Sequence, residues 1–344
     1  MIRYFFPFLV LFWSCGSGAD ENQKRQFKIL GEAQGTTYLI QYVDSADGRF
    51  TKLTADSILD RIDASLSAWK PNSVISEFNR RDTNVVTDEH FITVYFRGAE
   101  ISTITDGSFQ PFIGPLVQAW GFGPEGANPK GDFSIDSLLE LVHTPVQFHP
   151  ADTANLDGGL SFLKLPAQVL DVNGIAQGYS VDVVSGVLEA KGIRNYLVEI
   201  GGEVRASGRN AEGKLWRIGV DKPVDPEKPR ELDAVVSFTD RSMATSGSYR
   251  KFYEKDGKRY SHTIDPVSGR PVDHDLISVT VQAGNCTNAD AFATAFMVMG
   301  PAKTKDFIAA HPELRLEAYL LLGDGKGGYK TETTVGFQGL ARID

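Results

Sequence analysis

Positive charge is in the minority and nowhere concentrated: 35 lysines and arginines stand against 44 aspartates and glutamates, a formal charge of -9. Scattered basic residues leave no electrostatic footprint for a phosphate backbone, which sets nucleic acid aside as a partner. The apolar run Tyr4 to Trp13 is shorter than the roughly 20 residues a permanent membrane-spanning helix needs. No repeat or low-complexity tract occurs. With 344 residues, 42% hydrophobic and 23% charged, the chain is globular and long enough for one large core or two modest domains. A Gly-x-Ser-x-Gly elbow is also missing, so Ser246, His262 and Asp265 lack the turn that a serine hydrolase triad uses.

Cysteine is scarce, with only Cys15 and Cys286. The N-terminus "MIRYFFPFLVLFWSCGSGADENQ" has an early Arg3, a short apolar run and then Ser14-Cys15 before small and polar residues, the pattern of an export signal. Ser14-Cys15 resembles the bacterial lipobox, in which the cysteine becomes a lipidated N-terminus. The chain is therefore expected to be exported, lipid-anchored through Cys15 to a bacterial membrane and facing the periplasm. Cys286 is then left with no partner for a structural disulfide, and reads as a small buried residue. Residues 1–26 are read as signal and polar tether, and residues 27–344 as one catalytic unit.

From Phe27 onward strand and helix signals alternate without a linker. "FKILGEAQGTTYLIQYV" reads as two strands around a Gly35 turn, and "NYLVEIGGEVRASG" as a strand broken at Gly201-Gly202. Ile58, Leu59, Ile62, Leu66 and Trp69 recur at helical spacing, which predicts a helix over Thr54 to Trp69 capped by Thr54 and makes Trp69 a core residue. "WRIGV" and "LISVTVQAG" read as strands, and the C-terminal "GDGKGGYKTETTVGFQGL" as a hairpin or terminal strands. This mixed order predicts an α+β fold.

Three segments carry candidate chemistry. In "QVLDVNGIAQGYSVDVV" a strand ending at Asp171 is expected to turn through Asn173-Gly174 into a helix. Such a junction either packs tightly or offers helix N–H groups to phosphate. In "CTNADAFATAFMVMG" Asn288 reads as the cap, and Asp290 and Thr294 lie four apart on one helix face. Two hard oxygen donors so placed suit a magnesium ion; alternatively Asp290 complements the helix dipole while Thr294 packs. In "RYSHTIDPVSGRP" His262 stands at a strand end before an Asp-Pro turn. There it is either a solvated side chain or a general base held by rigid backbone.

Together, "SLSAWKPNSVISEFN", "TDGSFQPFIGPLVQAWGFGP", "LDVNGIAQGYSVD", "YLVEIGGEVRASG", "ATSGSYRKFYEKDGKRYSHTIDPVSGRP" and "ADAFATAFMVMG" occur in the order seen in the ApbE-type family. These are FAD:protein FMN transferases, whose older label is thiamine biosynthesis lipoprotein. The resemblance runs from about Gly35 to Gly300. It implies a T-fold-like ApbE architecture and magnesium-dependent transfer of FMN from FAD to a threonine or serine hydroxyl of an exported or membrane flavoprotein, with release of AMP.

The same resemblance implies site residues. Magnesium would be held by Asp290, Thr294 and the backbone carbonyl of Gly174, and His262 would be the catalytic base. FAD contacts would come from Gln34, Trp69, Ser108, Phe109, Gln110, Asp171 and Gln177, the aromatic ones stacking on the flavin or adenine.

Two positions depart from the pattern. Many relatives have aspartate where this chain has Gln110 and lysine where it has Gln177, and a glutamine donates a hydrogen bond without neutralising charge. Arg250 or Lys251 is the expected compensation. An FAD pyrophosphatase giving FMN and AMP, and a non-catalytic FAD-binding lipoprotein, are the alternative readings.

Overall fold

The computed structural model describes residues 24–45, 48–81, 83–122, 132–150, 160–223, 231–248, 252–255, 258–326 and 328–343. Cys15 and the stretch read as an export signal, and Arg250 and Lys251, lie outside them.

Eight strands form a central sheet in the spatial order Arg25–Ala33, Thr36–Asp44, Tyr196–Ile200, Glu203–Ser207, Arg241–Gly247, Leu276–Ala283, Glu317–Gly323 and Tyr329–Thr333. Every neighbouring pair is antiparallel. Side chains alternate between the faces as strand geometry requires. In the strand Glu317–Gly323, Ala318, Leu320 and Leu322 enter one core while Tyr319 and Leu321 enter another. Burial on both faces explains why "YLVEI" and "EAYLLLG" are apolar almost throughout.

Seven helices occur among the described residues: α1 (Lys52–Leu66), α2 (Val74–Arg80), α3 (Glu89–Ile104), α4 (Gly114–Ala119), α5 (Ile135–His143), α6 (Ala176–Ala190) and α7 (Cys286–Ala310). The larger core joins α1, α6 and α7 to one face of the sheet; Ile62, Val184, Leu188, Phe292 and Phe296 are buried in it. Each such side chain contributes about 1.5–3 kcal/mol by leaving water. The other face is covered by a three-stranded sheet, Trp216–Asp221, Leu232–Phe238 and Leu340–Arg342. This is an α+β architecture. Among the described residues no helix is long and apolar enough to cross a membrane.

The first two strands turn at Gln34-Gly35, both in the left-handed region, and the break expected at Gly201-Gly202 is a hairpin that pairs the flanking strands. Several local expectations are corrected. The first strand begins at Arg25, inside the stretch read as tether. Helix α1 starts at Lys52 with Thr51 as its cap, accepting from the Thr54 N–H. It ends at Leu66, so Trp69 lies beyond it and is 71% exposed rather than core. Helix α7 is capped by Asn285, which accepts from the Asn288 N–H at 2.8 Å. The segment ending at Asp171 is not a strand. Asn79 grips it instead, donating to Leu170 O at 3.0 Å and accepting from Leu170 N at 2.8 Å.

Candidate active site

Helix α6 begins without a side chain of its own to cap it. The missing acceptor comes from α7: Asp290 Oδ2 accepts from the Gly178 N–H at 3.0 Å, taking one of the orphan donors of the first turn. The two backbones touch there. A Cβ on Gly178 would lie 2.3 Å from Cys286 O and 2.7 Å from Asp290 Cβ, so no larger residue fits. One turn earlier, a Cβ on Gly174 would lie 2.7 Å from Thr294 Oγ1. The fold therefore brings Gly174, Asp290 and Thr294 together, although more than 100 residues separate the two segments, as the 112-residue span of the Gly178–Asp290 bond illustrates.

The electrostatics fit a cation. Asp290 is buried, and desolvation raises its carboxyl to about 7, against the lowering effect of the Gly178 hydrogen bond. Behind it Glu203 is also buried, its pKa raised by desolvation first and then by the charge of Asp290, and its Oε2 has no hydrogen-bond partner. Two neighbouring buried acids, each stabilised as an anion only by backbone N–H groups, are costly to ionise, and a bound cation would relieve that cost. One carboxylate, one hydroxyl and one carbonyl leave ligand positions for water and phosphate, as magnesium prefers. Cys286 is fully buried, with its thiol raised by burial.

Other expected residues gather at the same end of α6. Gln34 Nε2 donates to Ser180 Oγ at 2.7 Å, and Gln34 Oε1 is buried without a partner. Gln177 Nε2 would lie 2.6 Å from a Cβ on Gly201, which places its amide over the second hairpin. Asp171 Oδ1 accepts from the Asn173 N–H at 2.9 Å, fixing the turn into Gly174. Its N–H donates to Pro111 O at 2.7 Å and so docks the loop of Ser108, Phe109 and Gln110. Within that loop Phe109 is buried in the main core beside Gly98, so its ring supports the loop from beneath. Ser108 and Gln110 are half-buried, and Trp69 is the aromatic of this set that presents an open face.

His262 comes from a different quarter. It follows the strand Lys258–Ser261 and precedes the short pair Ile264–Asp265 and Arg270–Pro271. This hairpin is seated on α4 and α5: Ile264 is buried with Leu116 and Val142, Trp120 Nε1 donates to Gly269 O at 2.8 Å, and His143 Nε2 bonds Pro266 O at 3.0 Å. The His262 ring meets Phe122 edge-on with centroids 6.3 Å apart. Asp265 accepts from Val267 N and Ser268 N of its own turn, and Ser246 lies within a sheet strand rather than at a strand-to-helix elbow.

Residues without an assigned role in the sequence reading also shape the site, namely Asn79, Ser180, Asp182 and Glu203. Only Asp182 carried a signal: it continues the four-residue spacing of Gly174 and Gly178. Gly178→Ala offers a direct check of the helix contact. Helix propensity alone would favour alanine by about 0.5–1 kcal/mol. The overlap with Cys286 O reverses that sign, and a loss of about 1–3 kcal/mol is expected from urea unfolding. A more stable variant would mean that the helices do not approach this closely.

The ApbE family model matches residues 34–320. A protein named FAD:protein FMN transferase from Vibrio cholerae is 35% identical over 285 residues, covering 81% of this chain and 83% of its own. One of the same name from Haemophilus influenzae is 33% identical, covering 94% and 93%. The flavinyl transferase ApbE of Pseudomonas stutzeri superposes with a TM-score of 0.76 at 32% identity, over 92% of this chain and 96% of that one.

Proposed function

The chain belongs to the ApbE family, and on that premise we propose that it is a flavin transferase moving FMN from FAD to a threonine or serine hydroxyl of an exported or membrane flavoprotein. In this reading magnesium is required and AMP is released. The observation that carries it is the meeting of Asp290 and Thr294 with Gly174 at the start of α6, where Asp290 takes the place of a cap from the helix's own segment.

Asp290, Thr294 and the Gly174 carbonyl would hold the ion. When bound, magnesium would offset the charge of the FAD pyrophosphate and of the AMP that leaves. Gln34, Gln177 and Asp171 border that site and orient the substrate, with Ser108 and Gln110 on the adjoining loop. Trp69 offers an aromatic face for a flavin or adenine ring. His262 accepts the proton of the acceptor hydroxyl as its oxygen bonds to the FMN phosphorus; the bond from that phosphorus to the bridging oxygen breaks, and AMP departs with the oxygen. Lipidation at Cys15 would keep the enzyme at the membrane surface beside its acceptor.

The test is AMP release from FAD with magnesium, with and without an exported protein carrying a threonine acceptor, with attached FMN scored by mass. Attachment with acceptor-dependent AMP is the expected result. Free FMN and AMP at the same rate without acceptor would make the protein a pyrophosphatase, and retained FAD without AMP a binding protein. Cys15→Ser should release the protein from the membrane fraction; if it stays there, Cys15 is not the anchor.

A further inference from the structure

Helices α6 and α7 meet along a ladder with one rung per turn. Gly174 faces Thr294, Gly178 faces Asp290, and Asp182 faces Cys286 and Thr287. Each step of four residues forward, through the turn and along α6, is matched by a step of four back along α7, the spacing that keeps side chains on one helix face. The first two rungs hold the candidate cation ligands. The third has no ligand and the most hydrogen bonds.

Asp182 accepts from Cys286 N at 3.0 Å, Thr287 N at 2.8 Å, Thr287 Oγ1 at 2.7 Å and Arg205 Nη1 at 2.9 Å. Two of these donors are N–H groups of the first turn of α7, where a carboxylate also complements the helix dipole. Asn285 takes the Asn288 N–H from within α7's own segment, whereas Asp182 ties that turn to another helix. Arg205, on the strand Glu203–Ser207, bonds Glu189 as well at 3.1 Å, so the third rung is braced against the sheet.

Resting on the cation reading above, we propose that Asp182 is a positioning residue for the cation site. By pinning the first turn of α7 to α6 it sets how far Asp290 and Thr294 stand from Gly174. Asp290 and Thr294 ride on one rigid helix, so a slip of α7 displaces both together. Cation ligands tolerate errors of only about 0.2 Å, and outer groups that orient ligands are typically worth 10- to 100-fold in metal affinity. Gly178 limits how closely the helices approach and its N–H bonds the Asp290 side chain, whereas Asp182 holds the backbone of α7 itself through Cys286 N and Thr287 N.

The experiment is the Mn2+ dissociation constant of the folded full chain with FAD present, read by electron paramagnetic resonance. Asp182→Asn, which can no longer accept from all four donors, should weaken Mn2+ binding about 10-fold or more. Thr287→Val removes one donor and should weaken it about 3-fold; it carries the test if the first variant does not fold. Asp233→Asn is the control. That carboxylate is buried on the other side of the sheet with Tyr319 and Tyr329, so its loss should lower the unfolding midpoint and leave Mn2+ binding unchanged. If the Asp182 or Thr287 variant loses stability but binds Mn2+ like the wild type, Asp182 is merely structural and the inference is overturned. A wild type that binds no Mn2+ would instead overturn the cation reading on which it rests.

Discussion

Asp290→Asn should lower FMN transfer by roughly 1000-fold, the scale on which losing a charged group at a reacting phosphate is felt. In the cation-free protein the same change should raise stability. The carboxyl of Asp290 is pushed up to about 7 in the folded protein from an ordinary 3.8, with burial as the main cause. The folded state therefore binds more protons than the unfolded state between these values, and stability falls as pH rises through that window. Above it the ionised, buried Asp290 costs on the order of a few kcal/mol, which asparagine avoids while its side-chain oxygen still accepts from Gly178. Urea unfolding in chelator should show the variant ahead of the wild type at pH 8 and level with it near pH 4. Equal stability at both pH values would mean that another group already offsets the Asp290 charge. Added magnesium should stabilise the wild type and leave the variant unmoved.

His262→Ala is expected to slow transfer by about 100- to 10,000-fold, the range of a positioned general base. FAD affinity should change little, because the hairpin that follows His262 is fastened independently. Ile264, the Trp120 bond to Gly269 O and the His143 bond to Pro266 O all remain. The loss should fall on kcat, and added imidazole should restore part of it with the acceptor present. Full transfer activity with unchanged FAD binding would remove His262 from the chemistry and leave it a strand-end residue packed near Phe122.

The same residues show where reading the chain succeeds and where it stops. Asp290 and Thr294 were legible because four-residue spacing puts two side chains on one helix face wherever the helix sits. The turn at Gly35 and the break at Gly201-Gly202 were legible because a tight turn needs backbone angles that glycine adopts freely. Both helix caps stand three residues before the positions that sequence pattern favours, at Thr51 and Asn285 instead of Thr54 and Asn288. In each pair the same residue type stands at both ends of the capping hydrogen bond, so composition does not distinguish acceptor from recipient.

What the sequence by itself determined is the α+β class, most of the helix and strand faces, the placing of Asp290 and Thr294 on one face of α7 and, through ordered motifs, the family. These are local properties, set by periodicity and turn chemistry within a few residues. Only the tertiary structure decided that Trp69 is exposed and Phe109 is core, that Asn79 rather than a neighbouring strand holds the approach to Asp171, and that Asp290 caps a helix from a remote segment. The physical reason is that burial and pairing depend on what the chain brings back from far away. Helical spacing says which side chains share a face; it does not say what covers that face, nor that Glu203 and Asp182 will stand beside the same pair of helices.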